Sequence, residues 1–437
     1  MTSSWFVKAI AVVFSVSIMG ACAGSGASDN IVEAFKENQS VQPLPPRLQR
    51  LDRDNDNRLT KNEAPPLLSR NFAEIDRNSD RFLNTQEIVM FMRGGAPAAR
   101  GQASGERPKI NDRRASLDEI QPILASIRGA SGAVLIVKEF DGSVMYESAA
   151  GDLSLDDSVP IASATKWVAA AMLMMLVDEG RLDIDAPASA YAPYLVDDKA
   201  AITLRQLFSH TSGMSGDHAA NTPVTESLQQ VARRLAREPL VAEPGASLRY
   251  GGVSMQIAGA IMEGAAQKSF QAYFLEQLAT PLGMSQSYFC HPRNCNIDDP
   301  MDATNPLVGG GMISSASDMI RFLDMIAGGG EVDGVRHLSL ESLEEMRRVV
   351  TEGLSRDGLP LSAGPGWQYG VGQWRQYVEP GESEGISHSA GAFGAYPWID
   401  WDRSLYGIFL TEARLPAVYP QIEEIRMIVE NVHDQAR

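Results

Sequence analysis

The chain has 437 residues, 44% of them hydrophobic, which is enough for one large core with smaller modules beside it. A formal net charge of -17 excludes binding to nucleic acid through a basic patch, so nucleic acid is not expected as a partner. From the N-terminus, residues 1–22 read as a signal peptide: Lys8 gives the positive start and Ala9 to Met19 the apolar region. Met19-Gly20-Ala21-Cys22 has the small residues that precede a lipidated cysteine, with Met where Leu is usual. The alternative is an ordinary cleaved signal. Ala23 follows the cysteine where an Asp would signal inner-membrane retention. The expectation is therefore a lipid on Cys22, anchoring the chain at the periplasmic face of a bacterial outer membrane; a soluble periplasmic protein is the alternative.

Residues 23–46 are polar and small, with Pro43, Pro45 and Pro46, and read as a tether. Residues 47–93 hold two acidic segments of one design. Asp52, Asp54, Asp56, Thr60 and Glu63 stand at loop positions 1, 3, 5, 9 and 12 of the first. Asp76, Asn78, Asp80, Asn84 and Glu87 repeat them in the second. Arg58 and Phe82 fall at position 7, where only a backbone carbonyl is needed, and Leu59 and Leu83 supply the aliphatic at position 8. Several hard oxygens on a tight loop closed by a Glu are what Ca²⁺ requires, and the pair resembles two EF-hands of exported bacterial proteins. The sixth position needs a left-handed backbone and usually holds Gly; here it holds Asn57 and Arg81. Arg tolerates that conformation poorly, so occupancy of the second loop is the weaker expectation.

Residues 94–114 are a Gly/Ala-rich linker, and 115–437 form the main domain. Ser116 and Glu119 make a capping box opening a helix with Ile120, Ile123, Leu124 and Ile127 on one face. Ala133 to Phe140 and Ser143 to Ser148 flank Asp141-Gly142, a hairpin. Ser163 then opens an apolar helix, too short to span a bilayer, that stops at Asp178-Glu179-Gly180. Lys166 lies at i+3 from Ser163, on the same helix face, so hydroxyl and amine can meet locally. Helices are expected at Leu228 to Leu235 and Val253 to Gln267. Strands are expected at Trp367 to Trp374, Gly394 to Asp400 and Leu405 to Thr411, and a last helix from Pro420 to Val432. Sheet, helices, sheet again, with helices at both ends, predicts an α+β fold whose termini meet on one antiparallel sheet. Cys290 and Cys295, close in sequence, form a local disulfide or remain two thiols. The six histidines show no metal-ligand spacing, so no catalytic metal is expected. Gly381 to Gly385 fits the Gly-x-Ser-x-Gly pattern, but its glutamate-rich flanks read as a polar turn rather than a nucleophile elbow.

From about Ser116 onward the chain resembles the serine β-lactamase and penicillin-binding-protein superfamily, particularly class C β-lactamases and family VIII carboxylesterases. The resemblance rests on Ser163–Lys166 (SATK), Leu207–Gly213 (LFSHTSG), Tyr250–Gly252 (YGG), Pro281–Met284 (PLGM), Gly309–Asp318 (GGGMISSASD) and His388–Gly394 (HSAGAFG) in that order. It implies acyl transfer to Ser163, with Lys166 as base and Tyr250 sharing the proton work. It also places His388 at a cationic strand position beside the site, and gives the oxyanion hole the amides of Gly391 and of Ser163 itself. His210 is expected to be structural. The usual Asn after the tyrosine is Gly252, and the usual strand Lys is His388. Both changes favour a small ester or related acyl substrate over a carboxylated lactam. β-Lactamase or D-amino-acid peptidase activity, or a non-catalytic penicillin-binding-like envelope protein, are the alternatives. No cofactor beyond Ca²⁺ is expected.

Overall fold

Two compact units divide the chain, Met1–Ala99 and Arg100–Arg437. The computed structural model describes residues 116–216, 223–291, 303–355, 367–376 and 384–436, with Cys295, Leu359 and some residues between 56 and 83. The signal segment, Cys22, the tether and the linker of residues 94–114 lie outside the described residues, as do Asp52, Asp54, Asp76, Asn78, Asp80, Asn84 and Glu87.

In the second unit Ser116 caps a short turn through the expected box, and helix α1 (Ile120–Ser126) follows. Strands β1 (Gly132–Glu139) and β2 (Val144–Gly151) form the expected hairpin, and β3 (Val159–Pro160) leads into the turn bearing Ser163. Helix α2 (Thr165–Asp178) comes next, then α3 (Leu204–Phe208), α4 (Leu228–Leu235) and α5 (Val253–Ala266). Beyond them lie β4 (Tyr288–Phe289), β5 (Met312–Ser314), α6 (Ala316–Ala327), the small pair β6 (Glu331–Val332) and β7 (Val335–Arg336), and α7 (Leu340–Arg347). The chain closes with β8 (Gln368–Tyr369), β9 (Trp374–Gln376), β10 (Ile386–His388), β11 (Tyr396–Asp400), β12 (Leu405–Thr411) and α8 (Leu415–Ala436).

Seven strands form one antiparallel sheet in the order β2-β1-β12-β11-β10-β9-β8. β1 is apolar on both faces because both are covered. Ala133, Leu135 and Val137 face the terminal helices with Ile120, Leu124, Ile422 and Ile425. Val134 and Ile136 face the large inner core with α2. The α+β architecture and the meeting of the termini on one sheet follow the expectation.

Three details differ from it. The stretch Trp367 to Trp374 is two short strands around a turn at Gly372, whose φ is 77°. A Cβ at Gly372 would stand 2.3 Å from Ala170 Cβ and 2.6 Å from the Lys166 carbonyl, so only glycine lets this turn sit on α2. The strand expected from Gly394 starts at Tyr396, because Gly394 (φ 94°) ends the preceding turn. The last helix starts at Leu415 and carries Pro420 inside its early part. Cys290 and Cys295 are joined as a disulfide. Among the described residues no helix is long and apolar enough to cross a membrane.

Candidate active site

Ser163 sits in a single 3-10 turn, Ala162–Ala164, that runs directly into α2. It is therefore not the helix N-cap but part of a tight entry. Ala162, just before it, has φ 48°, a conformation an alanine holds only when its surroundings impose it. Those surroundings are β5: Ile161 N–H donates to the Met312 carbonyl at 3.1 Å, and Met312 N–H to Thr165 Oγ1 at 3.2 Å. Every residue of α2 from Thr165 to Leu176 is buried, so the turn bearing Ser163 is fixed to a helix with little freedom to move.

Lys166 reaches back along the helix face and places Nζ 3.1 Å from Ser163 Oγ, as the i+3 spacing predicts. It also donates to the Gly309 carbonyl at 2.5 Å and lies 4.6 Å from the Tyr250 ring centroid. Only 3% of Lys166 is exposed and, among the described residues, no carboxylate pairs with it; burial lowers its pKa from 10.5 to about 7. Tyr250 is pushed the other way, to about 12, chiefly by burial and against the pull of the Ser163 and Trp374 side chains. It stays a neutral phenol near pH 7. Its ring stacks on Trp374 (5.1 Å between centroids) and leans on His210 (4.7 Å). His210 is buried, with its pKa well below normal through burial and the nearby Lys166 charge. Its carbonyl accepts Arg249 N–H at 2.8 Å, which ties two loops together.

Ser163, Lys166, Tyr250 and Gly309 line one cavity of about 720 Å³. Its walls are mainly apolar or glycine: Leu307, Met312, Ile313, the Gly309–Gly311 loop, the disulfide Cys290–Cys295 and Phe393, which is 49% exposed at the rim. Among the described lining residues Lys166 is the one cationic side chain.

The structure does not bring His388 to this cavity. Its ring is fully buried on the opposite face of β10, stacked on Tyr396 (5.1 Å, 16°) and 4.2 Å from Trp367. Burial, with Arg426 and Arg375 nearby, holds its pKa well below normal, so it is neutral and cannot serve as the expected cation. The reason is strand parity: Ser389 takes the inward face, so His388 must take the outward one. Its hydroxyl donates to the Ser163 carbonyl at 2.9 Å. Gly391 also departs from expectation. Its N–H is held by the Ala395 carbonyl at 2.7 Å, closing a tight turn, and is not free for an oxyanion. Ser389 N–H points the same way, to Pro397 (3.3 Å). Ala390, between them, lies just past the end of β10, beyond the last residue paired with β9.

The sequence reading missed the Gly309 carbonyl, Trp374 and Ser389. The triple glycine at 309–311 is the one available signal: a Cβ at Gly309 would stand 3.4 Å from Lys166 Nζ and 3.2 Å from Met255 Sδ, so a small residue eases the close approach.

In the first unit Leu59 and Leu83, the two position-8 residues, are buried and exchange both backbone hydrogen bonds (2.9 and 2.8 Å). Arg81 does adopt the left-handed turn, at φ 70°. Arg58 stacks over the Phe82 ring at 4.2 Å. Asp56 accepts the Arg58 N–H at 2.8 Å and pairs with its guanidinium at 3.0 Å. Glu63 accepts Thr60 N–H and O–H at 3.0 and 2.7 Å. The left-handed backbone at the sixth position of the second loop is the one a Ca²⁺ loop needs there. Among the described residues no cluster of three His, Cys, Asp or Glu side chains is assembled.

Comparison with known proteins gives a consistent picture of the second unit. Residues 118–428 match the family described as Beta-lactamase. The chain is 28% identical over 273 residues to the D-alanyl-D-alanine-carboxypeptidase/endopeptidase AmpH of Escherichia coli strain K12, covering 55% of this chain and 70% of that one. A crystal structure of a β-lactamase-like protein from Bacteroides dorei DSM 17855 is 30% identical, covers 70% of this chain and 97% of its own, and superimposes with a TM-score of 0.59. A family VIII carboxylesterase structure shares the fold at 19% identity, with a TM-score of 0.58 over 71% of this chain and 96% of its own.

Proposed function

Because this chain belongs to the β-lactamase family, whose members are serine hydrolases, we propose that it hydrolyses a small, uncharged ester or related acyl substrate through an acyl-enzyme on Ser163. The observation that carries this reading is Lys166 Nζ, buried, unpaired with any acid among the described residues, and 3.1 Å from Ser163 Oγ. At a pKa of about 7 a large share of Lys166 is neutral amine at physiological pH. That amine takes the Ser163 proton as Oγ attacks the substrate carbonyl carbon. The negative charge on the carbonyl oxygen meets the Ser163 N–H and a second amide, which we assign to Ala390, just past the end of β10, because the Gly391 N–H is held by the Ala395 carbonyl. As the ester C–O bond breaks, the proton passes from Lys166 to the departing alkoxide, with the neutral Tyr250 phenol as donor or relay. Water then attacks the acyl-enzyme by the same route in reverse and releases the acid.

The substrate class follows from what the cavity lacks. Beyond Lys166, the described lining offers no cation to hold a carboxylate, and Gly252 offers no side-chain amide. The test is hydrolysis of p-nitrophenyl butyrate by the wild type beside Ser163→Ala, with nitrocefin and a D-alanyl-D-alanine peptide as comparators. Ester hydrolysis that disappears in Ser163→Ala, with slow nitrocefin turnover, is expected. Equal rates in the two proteins would reject the hydrolase in favour of a non-catalytic envelope protein. Faster peptide than ester turnover would favour the peptidase reading, for which AmpH is the precedent in name.

The proposal extends to the N-terminal region: export, a lipid on Cys22 at the outer membrane, and an accessory Ca²⁺ module. The Met19–Cys22 pattern supports the first two, and the Leu59–Leu83 bridge between matching loop positions supports the third. Incorporation of labelled palmitate in the wild type but not in Cys22→Ala tests the anchor; equal labelling of both would remove it.

A further inference from the structure

The segment that follows β10, Ser389 to Gly391, meets the turn bearing Ser163 at two points. Gly391 lies so close that an added Cβ would stand 2.1 Å from the Ile161 carbonyl oxygen. Ser389, 1% exposed, gives its hydroxyl hydrogen to the main-chain carbonyl of Ser163, 226 residues earlier, at 2.9 Å. A serine hydroxyl has one hydrogen to donate. On a strand that borders a substrate cavity it can reach the substrate or brace the protein, and here it braces the protein.

What it braces is strained. Ala162 sits at φ 48° immediately before the nucleophile, and such a turn persists only while its surroundings over-determine it. β5 holds the turn through Ile161 and Thr165. Nothing in those contacts fixes the Ser163–Ala164 peptide relative to the segment after β10, to which the proposed mechanism assigns the second oxyanion amide. The Ser389 hydroxyl does so, accepted by the second lone pair of a carbonyl that also serves the helix. We propose that Ser389 is a positioning residue: it fixes the peptide of Ser163 against β10, so that Oγ and the two oxyanion amides keep their mutual geometry. The hydroxyl, being committed, is also not offered to a substrate carboxylate. Orientation effects of this kind reach about a hundredfold in rate for displacements near an ångström.

The inference rests on Ser163 being the nucleophile, and the experiment separates the two claims. Wild type, Ser389→Ala and Ser389→Thr, each as the full chain, are compared by kcat and KM on p-nitrophenyl butyrate. They are compared also by the second-order rate at which a fluorophosphonate labels Ser163, read by intact mass. Far-UV circular dichroism checks the fold, and Ser389→Cys, similar in shape but a weak donor, replaces the alanine variant if that one does not fold. The expected result is a fall of about ten- to a hundredfold in kcat and in labelling rate for Ser389→Ala. KM should stay within about twofold, and Ser389→Thr should restore most of the loss. A Ser389→Ala protein with wild-type kcat and labelling rate, or one altered only in KM, overturns the positioning role while leaving the hydrolase intact. A wild type that neither turns over ester nor labels at Ser163 overturns both.

Discussion

Burying a lysine without an acid beside it is destabilising, and the cost is informative. Unfolded, Lys166 would titrate near 10.5; folded, it titrates at about 7. Between those values the unfolded chain binds the proton more tightly, so this group favours folding more as pH rises through the window. Its penalty is complete below about 7. In the proposed mechanism the same shift sets the direction of catalysis, because there the neutral amine is the base. kcat/KM for an uncharged ester should climb with pH through a midpoint near 7 and then level off. A profile flat from pH 5.5 to 8.5, or a midpoint near 10, would show that Lys166 is not the base. At this scale the sequence was readable where the contact is local: Ser163 and Lys166 share a helix face by spacing alone. Gly309 lies 143 residues from Lys166, and no periodicity announces such a contact. His388 was misplaced for a different reason. Motif likeness assigns a residue to a strand position, but a one-residue change of parity moves its side chain to the other face, and here Ser389 took the inward one.

Among the elements, the turn between β8 and β9 shows how the sheet and α2 constrain each other. Gly372 is left-handed and touches both Ala170 and the Lys166 carbonyl. Gly372→Ala should destabilise by about 1–3 kcal/mol from overpacking, with about 1 kcal/mol more from the backbone. A lowered urea midpoint with unchanged slope is the expected reading. An unaltered midpoint would mean that α2 and the turn yield without cost. Elements with a strong local signature, such as the Asp141-Gly142 hairpin and the box at Ser116–Glu119, appear where the sequence puts them. The segment Trp367 to Trp374 did not, because its aromatic content reads as one strand while Gly370 and Gly372 break it into two. Those aromatics serve the site: Trp374 stacks on Tyr250, and Tyr369 packs against both rings.

At the scale of the whole molecule, two units with different physics share one chain. The second is held by a sheet covered on both faces; the first brings together two loops rich in acidic side chains through the Leu59–Leu83 bridge. If those loops take Ca²⁺, a tenfold excess over the dissociation constant adds about 1.4 kcal/mol per site. Full-length protein should therefore show a low-temperature unfolding step that moves up in about 1 mM Ca²⁺, as extracellular sites require. Asp52→Ala combined with Asp76→Ala should abolish the movement; an equal shift in that variant, or none in the wild type, would leave the segment an acidic spacer. The family of the second unit could be read from six short motifs in order, while its substrate could not, since selectivity lies in cavity walls drawn from distant segments.

The account turns on Ser163 forming a covalent acyl intermediate. Rapid acid quench of the full chain during turnover of a slow-leaving ester, followed by intact mass and peptide mapping, tests this directly. The predicted result is an added acyl mass on the peptide bearing Ser163, absent from Ser163→Ala and accumulating more slowly below pH 7. Turnover with no adduct on Ser163, or an acyl group on another residue, would contradict it.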